Sequence, residues 1–230
     1  MFRKTVPYIL IWLFAYGLQF TCYASDLSAK AFFATLGTKE FERSDIGYSD
    51  RERLIESKFR ITEESCNPDS QLIGGGSYVK ASEENLLYVR SCSEDQGAIF
   101  YTYKINPQKS IALFVSISGT HGENQEFSFY SFSADKTISR RSLGDLGITE
   151  VRDNELLSSK QKFPSSQNRI VPFAFDTKNG AIKALPWTWM EPRWESKRII
   201  FDIEYIWNGH SFEKKKVKIK QPYKSMKTGG

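Results

Sequence analysis

The sequence predicts a mainly β protein, with antiparallel sheet built from successive hairpins and one or two short helices at the N-terminal end. Sandwich, barrel and propeller-like meander are all compatible with it. Three observations carry this expectation. Helical spacing of apolar residues is confined to the stretch before Phe59. Period-two alternation dominates thereafter. Asn179-Gly180 and Asn208-Gly209 interrupt alternating runs with the residue pair that best tolerates the positive φ of a tight hairpin turn.

Between Asp26 and Phe41, the residues Leu27, Ala31, Phe32, Ala34 and Leu36 fit one helix behind a Ser25 or Asp26 cap, with Gly37 as its stop. A second short helix is expected after Ser49-Asp50, through Arg51 to Ile55. Phe59–Thr62 alternates and reads as extended, leading into the turn-rich Cys66-Asn67-Pro68-Asp69. Leu86–Val89 reads as a strand. Ala98–Ile105 and Ile111–Ile117 form a hairpin about Asn106-Pro107-Gln108-Lys109. The second of these runs is apolar except for Ser116, which predicts a strand buried on both faces.

In Glu126–Ser133, Phe127 and Phe129 fall on one face and Tyr130 and Phe132 on the other, which suggests a bulge or a twist. Thr137–Arg141 follows a turn at Ala134-Asp135-Lys136. The polar segment Val151–Arg169 reads as a long surface loop and a candidate boundary between two halves of the sheet. Two hairpins close the chain: Val171–Phe175 with Ala181–Leu185, then Arg198–Trp207 with Ser211–Lys220.

At 230 residues, 40% hydrophobic and 26% charged, with a mean hydropathy of −0.44, the chain is globular in composition rather than collagen-like, low-complexity or multiply membrane-spanning. Arg3 and Lys4 precede an uncharged run from Val6 to Phe20, followed by Thr21-Cys22-Tyr23-Ala24. A positive start, a short apolar middle and a small-x-small end predict a signal peptide over residues 1–24, cut after Ala24. The apolar run is short of the roughly 20 residues a span requires. The expected destination is the periplasm, with secretion or a lipid anchor on Cys22 as alternatives. Residues 25–220 are then one β-rich domain and 221–230 a flexible tail.

Removal of the signal leaves Cys66 and Cys92, an even pair for which an oxidising compartment predicts a disulfide. The charge is local. Seven lysines and one glutamate lie between Ser211 and Gly230, whereas Ser25–His210 carries 26 acidic against 23 basic residues. The net charge of +5 is therefore no sign of a nucleic-acid-binding domain. The lysines of K-K-K-V-K-I-K, notably Lys214, Lys216, Lys218 and Lys220, alternate with Val217 and Ile219 and predict a surface strand with one charged and one apolar face. Such a row guards a sheet edge or attracts an anionic partner.

Catalytic patterns are weak. Ser77 follows Gly74-Gly75-Gly76, but Val79 stands where a nucleophile elbow has glycine. Two histidines far apart in sequence, His121 and His210, give no metal-ligand spacing, and no cofactor is expected. A hydrolase with dispersed carboxylates leaves no local signal. The densest candidate is Pro186-Trp187-Thr188-Trp189-Met190-Glu191-Pro192-Arg193-Trp194: tryptophan and arginine dominate interface hot spots, and the same residues also cap β cores.

The reading that results is an exported, non-enzymatic module that binds another envelope or secreted protein, inhibitor- or immunity-like, through Trp187, Trp189, Arg193, Trp194 and His121. The alternative is a binder of polysaccharide, cell-wall polymer or an anionic surface, using the tryptophans and the lysine strand. Mature protein denatured without reductant is expected to show no titratable thiol, and two after reduction. Two free thiols before reduction would remove the disulfide from the account.

Overall fold

The computed structural model describes residues 26–41, 46–66, 76–93, 96–119, 124–186, 192–194 and 196–219. The predicted signal peptide (1–24) and tail (221–230) lie outside them. The fold is mostly β, with two open antiparallel sheets made of successive hairpins and no closed barrel. The first sheet is a six-stranded meander in chain order: β1 (Ser77–Ser82), β2 (Leu86–Ser91), β3 (Gln96–Asn106), β4 (Lys109–Ser118), β5 (Asn124–Ser133) and β6 (Ile138–Arg141). The second has four strands: β7 (Phe173–Asp176), β8 (Ala181–Ala184), β9 (Phe201–Trp207) and β10 (Phe212–Lys218), again neighbours in chain order.

Among the described residues, four short helices accompany the sheets: α1 (Ala29–Thr35), α2 (Thr38–Phe41), α3 (Tyr48–Glu56) and α4 (Asp153–Leu156). The first is capped by Ser28, whose hydroxyl accepts from Ala31 N at 3.2 Å, and not by Ser25 or Asp26. Asp26 instead accepts from Ser28 N and turns the chain into the cap. No strand forms over Phe59–Thr62. Lys58 and Phe59 take positive φ there, which ends α3 in a left-handed turn.

The six-stranded sheet is the middle of three layers. In β4 the residues Ile111, Leu113, Val115 and Ile117 face the four-stranded sheet and share a core with Ile182, Ile203, Tyr205 and Phe212. Their neighbours Ala112 and Phe114 face the N-terminal helices and pack with Phe32, Phe33 and Phe41. The strand buried on both faces is therefore present as the sequence predicts. On the helical side, the Phe33 and Phe100 rings meet edge-on at 4.9 Å, and Phe100 stacks on Phe114 at 5.2 Å. Such pairs add about 0.5–1.5 kcal/mol each beyond the area they bury.

No bulge breaks β5, which keeps an unbroken register with β4 from Lys109↔Ser133 to Ser118↔Asn124. Ser128 and Ser131 occupy the alternate positions, so simple alternation sends Phe127 and Phe129 one way and Tyr130 and Phe132 the other. The register shifts fall elsewhere, between Val79 and Ala81 and between Lys104 and Asn106.

The expected surface loop over 151–169 is a packed plug. Val151, Leu156, Leu157 and Phe163 are buried in the core between the sheets, and α4 is formed within it. Asn154 locks it by donating to Phe163 O (3.0 Å) and accepting from Phe163 N (2.6 Å).

The hairpin turns at Asn179-Gly180 and Asn208-Gly209 form as expected, with φ of +62° and +97° at the glycines. Gly180 is also packed: a Cβ there would lie 2.5 Å from the Tyr101 hydroxyl oxygen, while one at Gly209 would meet nothing within 4 Å. Urea denaturation should separate the two constraints. Gly209→Ala is expected to cost about 1 kcal/mol from backbone strain alone, and Gly180→Ala roughly 2–4 kcal/mol. Equal costs would mean that the Tyr101 contact carries no weight.

Candidate functional site

Three contacts fix which ends of the two sheets coincide. Trp207 Nε1 donates to Lys104 O at 3.4 Å, and the Tyr103 hydroxyl donates to Gly180 O at 2.8 Å. The tight turns of the small sheet thus lie at the β3–β4 turn end of the large one. Phe175 N donates to the Gln125 side chain at 2.9 Å, near the other end of β5. In chain order His121 falls between β4 and β5, and Trp187 and Trp189 between β8 and β9. His121, Trp187, Trp189 and Lys220 themselves lie outside the described residues.

Trp194 does not present a binding face: it is 1% exposed, with its ring edge-on to Phe163 at 5.1 Å. It caps the end of the core, the second of the two readings the sequence left open. Arg193 clamps it there. Its guanidinium pairs with the buried Asp153 carboxylate, donates to Gln167 O at 2.9 Å and lies 5.0 Å from the Phe163 ring centroid. The Asp153 oxygen that faces Arg193 also accepts from Arg169 N at 3.0 Å.

The lysine strand forms at a sheet edge, with its alternate lysines on the inner side. Lys214, Lys216 and Lys218 pair with Tyr205, Ile203 and Phe201, so they stand on the same side as Phe212, over the rim of the inner core. Val217 faces outward beside Asp202 and is 52% exposed. Lys214 Nζ lies 2.6 Å from Glu155 Oε2, and Lys216 Nζ sits 4.2 Å from the Phe201 ring centroid. Burial alone would raise the Glu155 carboxyl. The hydrogen bonds from Lys214 and from Arg152 N, with the charges of Lys214 and Lys216, hold it below the usual carboxylate range instead.

Cys66 and Cys92 form a disulfide, with Cα atoms 5.4 Å apart, that joins the end of a 3₁₀ turn to the residue after β2. Ser77 is no nucleophile on a loop. It begins β1, is 1% exposed and donates to Asp50 Oδ2 at 3.1 Å. Among the described residues, no group of three His, Cys, Asp or Glu side chains could hold a metal ion.

A cleft of about 350 Å³, unannounced in the sequence, opens on the helix-facing side of the large sheet, where β4, β5 and β6 emerge from beneath α2. Its floor is Phe114, Ile138 and Tyr130, with Ser116 and Ser128 between them. Lys39, Glu40, Glu126 and Arg140 make a charged rim. Tyr130 and Arg140 are direct cross-strand partners, as are Ser116 and Glu126. Lys39 and Glu40 precede the strand residues of the cleft by some 75 to 100 positions, so no local pattern announces it. A second cavity, about 420 Å³, lies at the opposite end, where Asp26, Leu27 and Ser28 meet the β1–β2 and β3–β4 turns.

Compared with known proteins, the chain matches no family model, no curated protein and no solved structure. Its candidate surfaces therefore rest on their own chemistry.

The Arg193 clamp is testable. Arg193→Ala strands a buried carboxylate and is expected to cost about 3 kcal/mol in urea denaturation. Lys214→Ala, beside a partly exposed glutamate, is expected to cost less than about 1 kcal/mol. A cost below about 1 kcal/mol for Arg193→Ala would show that Trp194 is held by packing alone.

Proposed function

We propose that the protein is exported, to the periplasm or an equivalent compartment, and acts as a non-enzymatic module that binds another protein, in the manner of an inhibitor or immunity factor. The carrying observation is the helix-side cleft, whose aromatic and aliphatic floor lies within a rim of opposite charges. An apolar centre, a polar rim, and tyrosine and arginine at the contact make up the anatomy of a protein interface. Export is supported by the Met1–Ala24 pattern and by the Cys66–Cys92 disulfide. No helix among the described residues is long and apolar enough to cross a membrane.

The anionic-polymer alternative has less support than it had in the sequence. Lys214 is already paired with Glu155, and Lys216 lies against Phe201. A lysine engaged inside the molecule has less of its charge to offer a polymer.

The test is affinity capture from an envelope extract with mature Ser25–Gly230 as bait. The expected result is one dominant protein retained by the native chain, lost with Lys39→Glu/Arg140→Glu and retained with Lys214→Gln/Lys218→Gln. Retention of polymer alone, or loss only with the Lys214/Lys218 variant, would overturn the reading.

A further inference from the structure

The two sheets have four outer edges, and three of them are occupied. On β1, Val79 N donates outward to Ile61 O at 2.8 Å, and a register shift bends the strand just beyond. On β7, Phe175 N is taken by the Gln125 side chain. On β10, the inward-facing lysines overhang the core rim, a device that prevents another strand from docking flush. The fourth edge, β6, pairs without a register shift and carries no outward backbone bond among the described residues.

Which groups β6 leaves open follows from its pairing. Ser133 N donates to Thr137 O at 3.1 Å, so Ser133 and Thr137 are a hydrogen-bonded pair. In an antiparallel ladder such pairs alternate, so Ser139 and Arg141 turn their backbone groups toward β5. Ile138 and Arg140 turn theirs outward, and no backbone group is bonded to them on that side among the described residues. Both also line the cleft with their side chains.

The charge at this edge has a sign. Neither Lys39 nor Arg140 has an ion-pair partner among the described residues. Of the two carboxylates of the rim, Glu126 is engaged within the chain, so Lys39 and Arg140 face the single carboxylate of Glu40.

We propose that an extended, acidic segment of a partner protein adds to the open edge of β6, with its backbone bonded to Ile138 and Arg140 and its carboxylates beside Lys39 and Arg140. This deepens the protein-binding reading and rests on it. Backbone bonds along a sheet edge supply affinity in this mode, and pockets for alternate side chains supply selectivity. β6 is four residues long, so the added strand is short and the cleft contributes much of the recognition. A second copy of this chain is a poor occupant, because it would gather Arg140 and Arg141 of both copies along one short seam.

The probe is a blocked decapeptide of alternating Glu and Thr, with the Lys-Thr counterpart as control. Amide exchange and chemical shifts are followed by NMR on the mature protein. The acidic peptide is expected to bind and to slow exchange at Ile138 and Arg140, while the lysine peptide does not. Lys39→Glu and Arg140→Glu should each weaken binding at least about tenfold, more than a single exposed ion pair accounts for. Ile138→Pro removes an outward donor without removing a bond to β5, and should abolish binding while circular dichroism shows the fold intact. The proposal is overturned by no binding at millimolar peptide, by binding that leaves both amides unprotected, or by indifference to Ile138→Pro. Self-association lost on Ile138→Pro would overturn it in favour of a second copy. If the peptide fails while the captured envelope protein is still lost with Lys39→Glu/Arg140→Glu, strand addition falls and the protein-binding reading stands. If nothing is captured at all, that reading falls first.

Discussion

A strand offers alternate side chains to opposite faces, and in β4 both sets are buried. One set meets the four-stranded sheet and the other the N-terminal helices, so the six-stranded meander cannot have a solvated face along this strand. Three layers follow from that one constraint. The helices α1 to α3 exist in this fold to cover Phe100, Phe114, Tyr130 and Phe132, and the second sheet to cover Ile99, Leu113, Val115 and Phe129. Where the helical cover stops short, near β5 and β6, the sheet surface changes from packed phenylalanine to serine and charge, and a cleft is left.

The chain spends its charged residues according to the same geometry. On the outer face of the small sheet, Lys183 pairs with Asp176 across β7 and β8, and faces Glu204 on β9, which faces Lys215 on β10. The Asp176 carboxyl is held below its usual range by the hydrogen bond from Lys183, and the lysine is raised in turn by that carboxylate. Inside, the Tyr103 hydroxyl is pushed well above its usual value, chiefly by burial, and stays neutral as donor to Gly180. Lys214 and Lys216 at the β10 edge are spent inside the molecule, whereas Lys39 and Arg140 beside β6 have no ion-pair partner among the described residues. That contrast, more than net charge, distinguishes a guarded edge from one open to a partner.

The hairpins were legible in the sequence because turn chemistry and alternation are local. The alternation of the lysine strand was legible too, but it left open which face turns inward: the strand is anchored by Phe212, which shares the parity of Lys214, Lys216 and Lys218. Phe212 was the available signal. The plug over 151–169 was not legible, since Val151, Leu156, Leu157 and Phe163 follow no helical or strand period and are buried only by tertiary packing. Trp194 shows the ambiguity of aromatic-rich segments: the same composition serves a surface or a core, and burial decides. The cleft needs the whole fold before its residues meet.

The disulfide has one more consequence, which concerns the order in which the molecule comes apart. Cys66 closes the helical segment and Cys92 follows β2, so the bond encircles β1 and β2. The helical layer is otherwise held by aromatic packing and a few hydrogen bonds, such as Ala29 N to Glu84 O and Arg53 to Ser77 O. Under reducing conditions the N-terminal third is then the unit with the lowest opening free energy, while β3, β4 and the second sheet keep their mutual core. Oxidation converts that loosest unit into a tethered one. The chain is softest where thiols stay reduced and hardest where they do not.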